Sequence, residues 1–457
     1  MLHLFKRVQV LPAIALASLA LAGAVAALAD SDLPSSDPRP ADADQKLSAV
    51  ARLGEDMFFD TGLSGSGAMS CATCHDPKNH YAPANDRAVQ LGGPQLDQPG
   101  YRTVPTLTYA FETHPFSIGP LSAAEEVNEA APMAVAAGGQ ASSASAPLSS
   151  AGARQPKAAN IAQAAAALVP EGGLFRDGRV DTLEEQAHAV LRTPFEMAND
   201  SDHALYQRIS AHYGERIAAL FGKNVLSDES MTIAEAAFAL ARYQSEAPSF
   251  HTFDSKYDFY LRGEAALSAA ETRGLKLFDD PAKGNCASCH IDTPSRDGRP
   301  PMFTDYEYEA LGVPRNPEIP ANADPDWHDL GICGPMRDDA YARQPENCGL
   351  FKTPTLRNVA TRHAFFHNGR YHTLEDVLHF YVERDTDPAK FYPKNADGTV
   401  DKYDDLPAQY RGNIDVIDAP FDRKPGDTPA LDEQEIKDIE AFLNTLTDGY
   451  RPDGSAE

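Results

Sequence analysis

The sequence predicts a mainly α-helical protein built as two related halves, with long loops and little sheet. Three observations carry that expectation. The run Cys71-Ala-Thr-Cys-His75 returns almost unchanged as Cys286-Ala-Ser-Cys-His290. Shorter echoes follow in the same order: Val104-Pro-Thr-Leu107 with Thr353-Pro-Thr-Leu356, and Asp177-Gly-Arg-Val-Asp-Thr-Leu-Glu-Glu185 with Asn368-Gly-Arg-Tyr-His-Thr-Leu-Glu-Asp376. Residues 47–59 have helical periodicity, and their Arg52-Leu-Gly-Glu-Asp-Met-Phe-Phe-Asp60 is echoed at Arg273-Gly-Leu-Lys-Leu-Phe-Asp-Asp280. One echo could be chance; ordered recurrence argues for a duplicated domain.

Cys-x-x-Cys-His is the attachment signal for haem c: the two thiols form thioethers with the porphyrin vinyls and the adjacent imidazole is the proximal iron ligand. Zinc half-sites and thiol redox pairs use the same dipeptide spacing. Zinc would need further Cys or His ligands at finger-like spacing, and the only other cysteines, Cys333 and Cys348, lie far along the chain. Two covalent haems follow, attached at Cys71, Cys74, Cys286 and Cys289 with His75 and His290 as ligands, in two tandem cytochrome c-like domains.

Residues 1–29 read as a secretory signal. Lys6 and Arg7 give a basic start, an apolar run follows, and Ala27-Leu28-Ala29 offers small residues for cleavage. No later stretch of the 457 residues is apolar enough to span a bilayer, so a periplasmic protein without a membrane span is expected. In that oxidising compartment Cys333 and Cys348 are either a local disulfide, the default, or two buried thiols. The excess of 67 acidic over 40 basic side chains argues against nucleic acid and allows a basic or dipolar protein partner.

In chain order, residues 30–45 are a flexible leader rich in Asp, Pro and Ser. An N-terminal haem domain is expected over 46–250, interrupted by an Ala/Ser-rich insert at about 122–168. Within it Thr232-Ile-Ala-Glu235 reads as a capping box opening a helix to about Ser245. A C-terminal haem domain follows over 251–430, with a loop-rich stretch at 291–350 that holds Trp327, the only tryptophan. Residues 431–457 form a terminal helix and tail, with Ile436, Ile439, Phe442, Leu443 and Leu446 on one face, expected to pack back on the first domain.

The duplication also sets a register at the iron sites. Thr182 and Thr373 each cap a short helix, with Glu185 and Asp376 completing the box. The inward face is then Leu183, Gln186, Ala187 and Val190 in one half, and Leu374, Val377, Leu378 and Tyr381 in the other. Tyr381 therefore corresponds to Val190. A phenolate can close the coordination of iron and a valine cannot, which would leave the His75 haem open to a small oxidant. Tyr381 is otherwise a core aromatic, with Met302, Met336, His363, His367 and His379 as rival ligands. Near the open haem, Gln186 interrupts an apolar stripe and needs a polar partner. Glu196 lies shortly after that helix; unless it is a solvated loop acid, it can move a proton between the oxygens of bound peroxide and drive their separation, leaving ferryl iron and water.

At these residues the sequence resembles the bacterial dihaem cytochrome c peroxidase family, and within it the MauG-like enzymes. Both haem motifs carry the resemblance, with Pro354-Thr-Leu-Arg-Asn-Val359, Phe366-His-Asn-Gly369 and Phe195-Glu-Met197. The resemblance implies a peroxide-reactive haem and an electron-transfer haem, Tyr381 as the MauG-type ligand where the peroxidases have methionine, and Glu196 and Gln186 as active-site acid and glutamine. It also implies an always-open first haem, because the loop Val89-Gln-Leu-Gly-Gly93 lacks the peroxidases' distal histidine and His80 is too near Cys74 to supply it. By analogy, hydrogen peroxide would oxidise the haem pair to a bis-ferryl state.

Two departures stand out. Phe175-Arg176-Asp177-Gly178-Arg179 has arginine where the family has its inter-haem tryptophan, so charge sharing would use another route, through Phe175 or Trp327, or be slower. The family's calcium ligands fall on Thr103, Arg362 and Ala364, and a cation beside Arg362 would be repelled, so calcium is not expected in the usual way. The expected function is peroxide-driven oxidation of a donor protein through the Tyr381 haem. The alternatives are peroxide reduction fed by a small cytochrome or cupredoxin, and a non-catalytic dihaem electron carrier.

Overall fold

The computed structural model describes residues 47–120 and 168–452. The expected signal peptide, the leader, nearly all of the insert and the last five residues lie outside them. Among the described residues the α-helices are α1 (Ala49–Phe59), α2 (Cys71–Cys74), α3 (Leu183–Arg192), α4 (Asp202–Phe221), α5 (Glu229–Glu246), α6 (Lys256–Leu261), α7 (Ala269–Asp279), α8 (Leu374–Glu383) and α9 (Glu433–Asn444). Sheet is confined to three two-stranded antiparallel ribbons. One pairs Ser117–Pro120 with Leu168–Glu171, so the chain leaves for the insert and returns at the same place. None of these helices is long and apolar enough to cross a membrane.

Each half has its own hydrophobic core, and each core is built on one close helix pair. In the first, α1 lies on α5 with Gly54 so near that a Cβ would overlap the Ala239 carbonyl. In the second, α7 lies on α9 with Gly274 against the Asp438 carbonyl. Four residues on from each glycine comes a fully buried phenylalanine, Phe58 or Phe278. Phe58 packs edge-on to Tyr243 at 5.6 Å, and Phe278 to Phe442 at 5.2 Å. Only glycine allows such backbone approach, which is why it recurs at both crossings.

The terminal helix corrects the sequence expectation. α9 packs within the second half and not on the first: Ile436, Ile439, Phe442 and Leu443 enter the second core, and Asp438 takes a bidentate pair from Arg273 at 2.6 Å. The Gly274 crossing accepts that face, which explains the choice. Only the tail beyond it reaches the first half: Asp448 accepts from the Tyr109 hydroxyl of that half at 2.8 Å, and from Asn358 of its own half at 2.7 Å. α5 likewise starts earlier than Thr232-Ile-Ala-Glu235 suggested. Asp228 caps it, and the Thr232 hydroxyl donates to the Val225 and Asp228 carbonyls.

The duplication extends to backbone that side-chain patterns do not report. Tyr109 and Asn358, four residues after the prolines of one echo, have φ of 62° and 60°. Phe175 and Phe366, just before the Gly-Arg echo, have 65° and 64°. Left-handed conformations are costly for such residues, so equal values at matched positions mark one inherited chain path.

Candidate active site

Both Cys-x-x-Cys-His runs end in the same local structure. In the first, Ser70 and Thr73 close the turn and the His75 amide donates to the Cys71 carbonyl at 2.9 Å. In the second, the His290 amide donates to the Cys286 carbonyl at 2.8 Å. His75 Nδ1 lies 3.0 Å from the Tyr81 carbonyl and His290 Nδ1 lies 2.9 Å from the Phe303 carbonyl. A carbonyl can only accept, so Nδ1 carries the proton and Nε2 is left as a neutral ligand atom. Burial holds both imidazoles down to about 4, which keeps them neutral at ordinary pH. Pro105 and Pro354, from the shorter echo, offer their backbones to the same two rings.

The thiols argue against a redox pair. Burial pushes Cys71 and Cys286 up to about 12 and Cys74 up to about 11, far from the lowered values of reactive thiolates. A disulfide joins Cys333 and Cys348, with Cα atoms 5.0 Å apart.

Each pair of thiols opens on a largely apolar cavity. That of His290, about 310 Å³, is walled by Tyr381, Leu378, Val377, Phe365, Phe366 and Met302 among others. That of His75, about 160 Å³, is walled by Val190, Gln186, Ala187, Leu191, Phe195 and Glu196 among others. Thr182 and Thr373 cap α3 and α8 through the amides of Glu185 and Asp376, so the helix register is the one expected. The reciprocal half of each box is not made: Glu185 accepts from the Asp181 amide, and Asp376 from the Thr373 hydroxyl.

Tyr381 stacks on Phe366 at 5.9 Å and lies 5.5 Å from Phe421, and burial raises its phenol, with the Cys289 and Cys286 sulfurs adding to the rise. Of the rival ligands, Met302 and His367 line the same cavity, while His363 and His379 do not. His367 is stacked flat on Phe351 at 3.7 Å. Met336 was expected near the second haem and lines the first cavity instead, because the loop closed by Cys333 and Cys348 crosses over to the other half.

Glu196 faces the smaller cavity, its amide held by the Thr193 carbonyl at 3.0 Å. Oε2 is buried and finds no hydrogen-bond partner among the described residues. Burial pushes this carboxyl up to about 7, against the pull of Arg179 and Thr193. Arg179 is fixed over the Phe175 ring at 3.5 Å and paired with Asp177 at 3.0 Å. Val89-Gln-Leu-Gly-Gly93 lies against this segment, with the Gly93 amide on the Glu196 carbonyl at 3.0 Å. Of its residues Gln90 and Leu91 line the cavity, where His75 is the sole histidine.

The sequence singles out Arg176 and Arg362 separately, but not the buried cationic group they form with Lys352. Arg176 lines both cavities, with Pro105, Phe175 and Gln186, while Arg362 and Lys352 line the larger one. Burial lowers Arg176 to about 9, helped by Arg362 and Arg102; it lowers Arg362 to about 10 and Lys352 to about 7. Arg176 is held by the Thr103 carbonyl at 3.1 Å and by its hydroxyl, and Arg362 by the Val104 carbonyl at 2.9 Å; neither has a carboxylate partner among the described residues. Buried charge left this way is unstable unless an anion completes the site. Haem propionates are such anions, so the residues present fit a haem in each cavity. The echoes gave no warning, because the cations follow no helical or strand period and two of them have uncharged counterparts in the other half.

Residues 48–266 match the model of a family described as di-haem cytochrome c peroxidase. The methylamine utilization protein MauG of Paracoccus denitrificans is 29% identical over 426 residues, covering 91% of each chain. Cytochrome c551 peroxidase of Nitrosomonas europaea is 27% identical, over 72% of this chain and 71% of its own. The crystal structure of the diheme peroxidase BthA from Burkholderia thailandensis aligns with a TM-score of 0.70 and 36% identity, over 89% of this chain and 90% of that one. With such likeness along nearly its whole described length, the chain belongs to the di-haem cytochrome c peroxidase family, on its MauG-like side, and is a di-haem peroxidase.

Proposed function

We propose that hydrogen peroxide reacts in the His75 cavity and that a donor protein is oxidised through the His290 haem, whose iron Tyr381 closes. The observation that carries this is the unequal pair on equivalent helices, Val190 on one cavity wall and Tyr381 on the other. Cys71, Cys74, Cys286 and Cys289 attach the two haems c, and His75 and His290 hold the irons through Nε2. When bound, a haem supplies the iron that breaks the peroxide O–O bond and stores oxidising equivalents.

The polypeptide supplies the rest. Glu196 Oε2 takes a proton from one peroxide oxygen and returns it to the other, and a carboxyl poised near 7 can do both. Arg179 keeps Glu196 partly ionised, and Gln186 lines the same cavity. Phe175 and Arg176 stand in the wall between the cavities where electrons cross. The expected periplasmic location and the donor's identity as a protein side chain, as in MauG-type chemistry, belong to the same reading. Calcium has no part in it.

Mixing the as-isolated ferric holoprotein with peroxide tests the proposal. Rapid spectral change without prior reduction supports it, and a requirement for reduction first would make the protein an ordinary cytochrome-fed peroxidase. A second reading draws on Met336, whose thioether on the first cavity wall would close that iron and give a non-catalytic carrier. Met336→Ala separates the two: peroxide reactivity is unchanged under our reading and appears only in the variant under the other.

A further inference from the structure

Tyr101 and Trp327 form a ring stack that leads out of the smaller cavity. Tyr101 lines that cavity beside Phe195, with ring centroids 4.9 Å apart. On its other side Tyr101 packs against Trp327 at 5.2 Å, tilted by 44°. Trp327 lines neither cavity, is partly exposed, and follows Asp324, Pro325 and Asp326, which are exposed. The rings are held in place by their neighbours. Arg102, next to Tyr101, grips Asp329, two residues past Trp327, through Nε at 2.6 Å and a terminal nitrogen at 2.7 Å. That buried fork fixes the loop carrying the indole against the segment carrying the phenol. Of the two alternative inter-haem routes the sequence offers, Phe175 lines both cavities and Trp327 lines neither.

We propose that Tyr101 and Trp327 are a second electron entry, carrying electrons from the protein surface directly to the peroxide-reactive cavity without passing the His290 haem. Indole and phenol are the two side chains most readily oxidised by one electron, and here they are in contact in series between solvent and the site. Reducing one peroxide to two waters breaks the O–O bond and takes two electrons and two protons. With no donor present, Trp327 gives one electron and its indole proton, and Tyr101 gives one electron and its phenolic proton, leaving two neutral radicals. With a donor at the surface, Trp327 is refilled and the pair only conducts. The donor class is a one-electron reductant that reaches a partly exposed indole preceded by two exposed carboxylates, hence a small aromatic amine or a basic protein.

The inference rests on peroxide reacting at the His75 haem, and the test separates the two. Holoprotein is treated with peroxide without donor; the haem spectrum is followed, and digested peptides are mapped for oxidised residues by mass spectrometry. Oxidation products are expected at Trp327, lost in Tyr101→Phe although the indole remains, with the first-haem spectral change intact. Freeze-quenched samples should show a protein radical that Trp327→Phe alters. If the haem does not respond to peroxide, the underlying reading fails. If it responds while Trp327 stays unmodified, or is modified equally in Tyr101→Phe, the relay is wrong.

Discussion

Val190 and Tyr381 stand at the same turn of equivalent helices, each placed by a capping threonine and each facing the cavity of its own half. One scaffold, used twice, thus presents a methyl-bearing wall to one haem position and a phenol to the other. In the proposed function, division of labour between the haems follows from that single difference.

Under the proposed function, Glu196 should set a pH limb. Its carboxyl lies near 7 and acts first as a base, so reaction with peroxide should speed up as pH rises through that region and the acid ionises. Glu196→Gln should slow the step by about 10²–10⁴-fold and flatten the limb, with haem content unchanged. Stopped-flow rates across pH check this; a limb retained in the variant would assign it to another group.

The two crossing glycines should be equally intolerant. Gly54→Ala and Gly274→Ala each drive a methyl into a facing backbone carbonyl, which forces α1 from α5 or α7 from α9. Each should destabilise by about 1–3 kcal/mol or more, read as a lowered denaturation midpoint. Full stability in either variant would show that the helix pair can separate freely.

Chelators should leave the spectrum and peroxide reactivity unchanged. Arg176 occupies both the carbonyl and the hydroxyl of Thr103, and Arg362 is buried nearby. A divalent ion there would meet two fixed positive charges in a poorly screened interior. Metal analysis finding about one tightly held calcium per chain would contradict this.

Much of the site was legible because its determinants are local. The haem motifs and the capping threonines are short patterns whose physics needs no tertiary context. They place Val190, Tyr381, Gln186 and Glu196 on the cavity walls. What escaped is what depends on the chain crossing between halves. Met336 arrives at the first cavity on a loop of the second half, and Arg176, Arg362 and Lys352 converge from separate segments with no shared period. The partner of α9 is hidden for a related reason: its apolar face is evident in sequence, but the surface that receives it is made by Gly274, whose role appears only when both helices are in place.

The most direct test is electron paramagnetic resonance of the ferric holoprotein beside its Tyr381→Phe variant. The wild type should show one high-spin and one low-spin haem, and the variant should lose the low-spin signal while both haems stay attached. An unchanged low-spin signal in the variant, or two low-spin haems in the wild type, would contradict the unequal sites on which the account stands.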